Sequence, residues 1–157
     1  MKKISLVFLA ICMMIFGLFS ACTRETETVT YDFESLSSQL EESGAFSDIL
    51  SPVELDIAAQ FYGIDPNDVS ESKVLCSTVA TTEEIALFKC VSTEAAAKVK
   101  AAAAERVETQ RATYESYAPQ EMPKLDDAIV IQNGVYVFYI VSADASKAQA
   151  VLDNLNK

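Results

Sequence analysis

Cys22 is the first residue whose type and setting point to chemistry. It stands at a seam: residues 4–19 are nearly all apolar, and residues 23–30, TRETETVT, are polar apart from Val29. A thiol there, preceded by the small pair Ser20-Ala21, can take a lipid through a thioether. Leu18-Phe19-Ser20-Ala21-Cys22 resembles the lipobox of bacterial lipoproteins. In that family a diacylglycerol is joined to the cysteine and the chain is cut just before it. Phe19 departs from the more usual Leu. The rival readings are an uncleaved signal anchor, with Cys22 incidental, and cleavage by the general signal peptidase.

The other two cysteines of the body, Cys76 and Cys90, are candidates for a disulfide. A bend centred on Glu83 would place them directly opposite on one hairpin, at Cα separations near 4.5 or 5.5 Å, within disulfide reach. A one-residue slip of register sends the sulfurs to opposite faces. The alternative is two buried thiols acting as small apolar groups. Neither is a promising nucleophile. The chain has no His to activate a thiol, and alternation keeps Lys73 and Lys89 on faces away from their nearest cysteine.

Carboxylates offer less. Glu83-Glu84 and Asp126-Asp127 are adjacent pairs, and adjacent strand residues point to opposite faces. Glycosidic hydrolysis needs two carboxyls facing across a cleft, about 5 to 9.5 Å apart. Solvated turn charges are the plainer reading. The run DPNDVSES from Asp65 to Ser72 offers hard oxygens but lacks the spacing, glycine and final Glu of a calcium loop, so it reads as a helix cap and turn. Tyr114 and Tyr117, three apart on one helical face, could form a ligand platform for sugar or peptide, or close one end of a core.

Composition narrows the classes further. The formal charge is −11; losing Lys2 and Lys3 with residues 1–21 takes the mature part to −11 − 2 = −13. The remaining basic residues are scattered, which argues against a nucleic-acid partner. The mature part holds three well-separated glycines, Gly44, Gly63 and Gly134, so phosphate loops and dinucleotide fingerprints are excluded. No cofactor motif is present, and no metal set.

These residues must be positioned by a single domain. Residues 1–21 follow the plan of a signal peptide: basic Lys2-Lys3, an apolar run, then small residues. Residues 22–31 make a lipidated cysteine and polar tether, and residues 32–157 one domain. Eight tether residues reach at most about 28 Å. Helical spacing of Phe33, Leu36 and Leu40 predicts a helix over 32–43, stopped by Gly44. Ser51-Pro52-Val53-Glu54 has the form of a capping box and predicts a helix ended by Gly63. Strands are expected over 73–79 and 84–91, then a long Ala-rich helix over 93–117. Its buried stripe would be Ala96, Val99, Ala103, Val107, Tyr114 and Tyr117. Asn133-Gly134 predicts a type I′ hairpin between 128–132 and 135–142. The run VYVFYIV is apolar on both sides, as a central strand would be. Asp144 caps a last helix. The expected order is α-α-β-β-α-β-β-α. It forms an α+β domain: an antiparallel sheet of about four strands in two hairpins, joined by the long helix, with helices mainly on one face.

In order along the chain, YGIDPNDV, EEIALFK, YESYAPQE and NGVYVFYIVSAD resemble an uncharacterised domain of Gram-positive, mainly clostridial, lipoproteins. The resemblance covers 51–155. It implies a lipobox signal and an extracytoplasmic domain, and no established activity, ligand or catalytic residue. The expected function is a non-catalytic binding or assembly module, held by lipidated Cys22 in the bilayer on the outer face of the cytoplasmic membrane. Its partner would be an envelope protein, a wall polymer or a small ligand. The rival is an envelope hydrolase built on carboxylates or tyrosines.

Overall fold

A computed structural model describes residues 29–78 and 81–155. The signal, Cys22 and most of the tether lie outside the described residues. Residues 31–157 form one compact unit. Tyr31, expected to end the tether, is buried.

The elements are α1 (Phe33–Glu42), β1 (Leu50–Val53), α2 (Leu55–Tyr62), β2 (Val69–Ser77), β3 (Glu84–Cys90), α3 (Thr93–Tyr114), α4 (Met122–Asp126), β4 (Ile129–Asn133), β5 (Tyr136–Val141) and α5 (Ala145–Asn154). The class is α+β, and the five strands form one antiparallel sheet in the order β1-β2-β3-β5-β4. Two elements were not expected. One is the short α4, beyond a 3₁₀ turn over Pro119–Glu121. The other is β1, which takes the place of the first turn of the expected second helix.

The bonding parity of the sheet explains β1. Hydrogen-bonded and non-bonded pairs alternate along an antiparallel ladder. The Ser77 N–H donates to the Glu83 carbonyl at 3.0 Å. Leu75 and Lys73 therefore bond to β3, while Cys76 and Val74 bond to their β1 partners Ser51 and Val53. That leaves Leu50 and Pro52 facing the open edge. A proline without an N–H is tolerated where no ladder bond is required. The helix then starts at Leu55 with Glu54 as N-cap, and no side chain caps it. Gly63 ends it in the left-handed region at φ 65°.

The same parity fixes the other edge. The Cys90 N–H donates to the Val135 carbonyl at 2.8 Å, so Val137, Tyr139 and Val141 bond to β3. Tyr136, Phe138 and Ile140 then bond to Asn133, Ile131 and Ile129 of β4. The backbone groups of Val130 and Gln132 point outward. The hairpin loop is Gly134-Val135, one residue later than expected. Within this loop φ is positive at Gly134 (58°) and not at Val135, the pattern of a type II′ turn in place of the expected I′.

Helices cover both faces, not mainly one. Tyr62, Phe88, Val99, Ala103, Val107 and Tyr139 belong to one core, under α2 and α3. Leu36, Leu40, Ile85, Leu87, Phe138 and Leu152 belong to the other, under α1 and α5. Strand β5 alternates between them and is buried at every position, as a strand covered on both faces must be. Tyr31 caps the second core edge-on to Tyr136 and Phe138, with ring centroids 4.9 and 5.1 Å away. The Asn133 amide donates to its hydroxyl at 2.5 Å. Among the described residues no helix is long and apolar enough to cross a membrane.

Candidate functional site

The pairing expected to bring Cys76 and Cys90 together does not occur. Cys76 stands opposite Glu84, and Cys90 opposite Val69. Both thiols are free. The register of β2 on β3 is not the one a bend centred on Glu83 would give, and Glu83 itself lies in a buried cluster. Burial first, then Glu84, pushes the Cys76 thiol up to about 12. Burial and then Asp68 push Cys90 to about 11. Neither is poised as a thiolate.

Glu83 and Glu84 are not solvated turn charges. Each is 1 % exposed, and they point to different partners. Glu84 shares a strand face with Ala86 and Phe88 and meets α3. The Arg106 Nε donates to both its oxygens, at 3.1 and 2.9 Å, and Nη2 to Oε2 at 2.6 Å. The Tyr62 hydroxyl donates to Oε1 at 2.7 Å and the Gln110 amide to Oε2 at 3.3 Å. Tyr139 donates in turn to Gln110 at 3.0 Å. The guanidinium carbon of Arg106 lies 5.2 Å from the Phe61 ring centre and 5.0 Å from that of Tyr62. Burial opposes the charge on Arg106, but Glu84 outweighs it and raises the guanidinium further. Burial, then Glu84, raises the Tyr62 hydroxyl well above its ordinary value.

Glu83 turns the other way. Its Oε2 accepts from the backbone N–H groups of Ser47 and Asp48 at 2.9 and 3.1 Å, and Oε1 from the Ser47 hydroxyl. Lys124 of α4 binds Oε1 at 2.8 Å and also Glu121 at 3.0 Å. Glu121, likewise buried, accepts from the Thr82 N–H at 2.9 Å. Burial alone would raise the Glu83 carboxyl; the donors from Lys124, Ser47 and Asp48 outweigh it and hold it below the ordinary range.

Both carboxylates border one cleft of about 330 Å³. Its floor is Ser51 and Val53 of β1 with Cys76 of β2; its walls are Phe61 of α2 and Arg106, Gln110 and Tyr114 of α3. Among the described residues nothing accepts from the Arg106 Nη1. Past Phe61 and Arg106 a shallower groove of about 560 Å³ runs between α2 and α3.

Tyr114 and Tyr117 lie together, with ring centres 5.0 Å apart and planes tilted by 34°. Only Tyr114 lines the cleft, and its hydroxyl donates to the Thr81 carbonyl at 3.1 Å. Burial, then Tyr117, pushes it up to about 12. Tyr117 is 57 % exposed; the helix ends at Tyr114, so it does not belong to the buried stripe expected for it. Asp126 is exposed and paired with Arg111 at 2.7 Å. Asp65 caps the 3₁₀ turn, its Oδ1 accepting from the Asn67 backbone at 2.9 Å. Among the described residues no group of three His, Cys, Asp or Glu is placed to hold a metal.

Arg106, Gln110 and Lys124 were not expected. Arg106 and Gln110 had a signal: they continue the stripe Ala103–Val107 at helical spacing.

Fold and site together define a small α+β domain, its antiparallel sheet sandwiched between helices, with an ion-paired cleft over the β1 side. Residues 43–142 match the family DUF4358, a domain of unknown function, and the chain belongs to that family. No curated protein and no solved structure matches it.

Proposed function

We propose that the chain is an extracytoplasmic lipoprotein of the Gram-positive, mainly clostridial, kind, anchored through Cys22, and that its cleft binds an uncharged, hydroxyl-rich ligand such as a wall-polymer sugar, without catalysis. The observation that carries the binding reading is that both carboxylates bordering the cleft already hold a cation. Glu83 and Glu84 are matched at the cleft by Lys124 and Arg106, while the whole chain is strongly acidic. The outer field repels anions, and a cation meets no unpaired carboxylate. What the cleft offers is an exposed aromatic ring at Phe61, the Arg106 Nη1, the Gln110 amide and the Ser51 hydroxyl. Such a wall stacks on and hydrogen-bonds to a sugar ring, and the cleft's volume lies in the range of small-ligand sites.

A hydrolase reading has one observation in its favour: two carboxylates border one cleft. Against it, Glu83 is held ionised and therefore unsuited to give up a proton as a general acid.

The anchor is tested by Cys22→Ala, which should leave a heavier, unprocessed precursor without acyl label. Equal labelling of wild type and variant rejects it. The cleft is tested by NMR titration with N-acetylglucosamine oligomers. Shifts at Phe61 and Gln110 that vanish in Phe61→Ala are expected. Their absence in the wild type refutes the ligand class, and turnover of the oligomers refutes the non-catalytic reading.

A further inference from the structure

The two edges of the sheet are treated differently. At β1 the open side carries exposed Pro52, and a missing N–H blocks strand addition. At β4 nothing blocks it. The segment Ile129-Val130-Ile131-Gln132-Asn133 has no proline, glycine or charge, and none of the chain's 23 acidic residues falls on it. Bonding parity turns the N–H and C=O of both Val130 and Gln132 outward. Among the described residues no backbone partner meets them.

We infer that β4 pairs with β4 of a second copy of this chain, antiparallel, about a two-fold axis through Ile131. A two-fold at that residue sets Val130 opposite Gln132 of the other copy, and Gln132 opposite its Val130. Each such pair exchanges two hydrogen bonds, so four close the seam and both outward residues of each copy are satisfied. An axis midway between Ile131 and a neighbour would set inward-facing residues against outward-facing ones and close none, and an axis on Val130 or Gln132 would pair one outward residue with a residue beyond β4. The contact is isologous, as two-fold contacts are, and joins the two sheets into one of ten strands. Charge favours a second copy at this edge in particular. Two acidic bodies repel over most of their surfaces, and β4 is an uncharged strip where they can meet. Val130 continues the core on the α3 face, and Ile129 and Ile131 the core on the α1 face. Apolar side chains thus line the seam on both sides. The contact is small and of the transient class, so covalent trapping is the suitable assay.

At the axis Ile131 meets its own mate as a non-hydrogen-bonded pair, about 4.5 Å between Cα atoms, which a disulfide can span. The test is oxidation of lysates of cells expressing full-length Ile131→Cys, read on a non-reducing gel against the wild type. A species of twice the monomer mass is expected, and it should fade when Val130→Pro is added, which removes an outward N–H and no bond within the chain. Ile129→Cys and Asn133→Cys should not link to themselves but should link to each other when co-expressed, since 129 then faces 133. If Ile131→Cys is misfolded by circular dichroism, that mixed pair decides. No dimer above the wild type in either arrangement overturns the pairing. So does equal self-linking at 129, 131 and 133.

Discussion

Replacing Arg106 by Met tests whether the ion pair under the cleft organises the domain. Met keeps an unbranched stem between the rings of Phe61 and Tyr62 and removes the charge. Glu84, 1 % exposed, then loses three close N–H contacts and keeps only Tyr62 and Gln110. Breaking a buried pair from one side costs about 3–5 kcal/mol, because the remaining charge is uncompensated. Against a typical domain stability of about 5–15 kcal/mol, that is a large fraction. The assay is urea unfolding at pH 7, followed by circular dichroism, of residues 22–157 carrying Cys22→Ser. With a slope of about 1–3 kcal/mol per molar urea, the midpoint should fall by about 1–5 M. Arg106→Met combined with Glu84→Leu should recover most of the loss, since an apolar pair of similar volume is often neutral or better. The reasoning fails if Arg106→Met stays within about 0.5 kcal/mol of wild type, the range of surface changes. It also fails if the double variant loses the sum of the two single losses, which would mean no coupling.

Three further outcomes are expected. The Glu83 carboxyl is depressed in the folded state, so its stabilisation is present above the ordinary Glu range and is lost as pH falls through the folded value; in Glu83→Gln the acid limb of a stability–pH curve should flatten, and an unchanged limb would refute this. In the same Cys22→Ser chain at pH 8, Cys76 and Cys90 should resist a thiol reagent, and unfolding without reductant should release two reactive thiols; a need for reductant would contradict the free thiols. Gly63→Ala should cost about 1–2 kcal/mol from left-handed backbone strain alone, since nothing lies within 4 Å of the added carbon; urea midpoints of Gly63→Ala and Gly63→Asn check it, with Asn expected to be milder.

Much of the fold was legible where a period or a punctuating residue was strong. Asp32 caps α1 and Gly44 follows it at φ 72°, and VYVFYIV contains the strand buried on both faces. Strand β1 was not legible. Ser-Pro-Val-Glu is a helix start by local chemistry, and only the pairing with Val74 and Cys76 turns it into an edge strand. The cysteine register depended on a bend whose centre local residues left ambiguous. Glu83 and Glu84 were hidden because a carboxylate looks solvated until its cation is found, and those cations lie 41 and 22 residues away, at Lys124 and Arg106. A hint was present in each case: Glu84 alternates with Ala86 and Phe88, and Arg106 lies three residues beyond Ala103, beside a small, apolar stripe.

The seat of Tyr31 has a mechanical consequence. The chain enters the folded unit beside Asn133, Tyr136 and Phe138, whereas Glu84 lies at the opposite end of the β3–β5 ladder, paired with Val141. Seven residues of β3 separate those ends by about 20 Å. A pull on the chain ahead of Tyr31, resisted by anything gripping the cleft, therefore crosses the sheet obliquely, with one component along the strands and one across them from β5 to β1. The component along the strands loads the bonds between β3 and β5 together in shear, since they run across that direction, whereas a peeling force would break them one by one. Were the chain held ahead of Tyr31 and gripped at the cleft, the shared shear of the β3–β5 ladder would resist that component of the force.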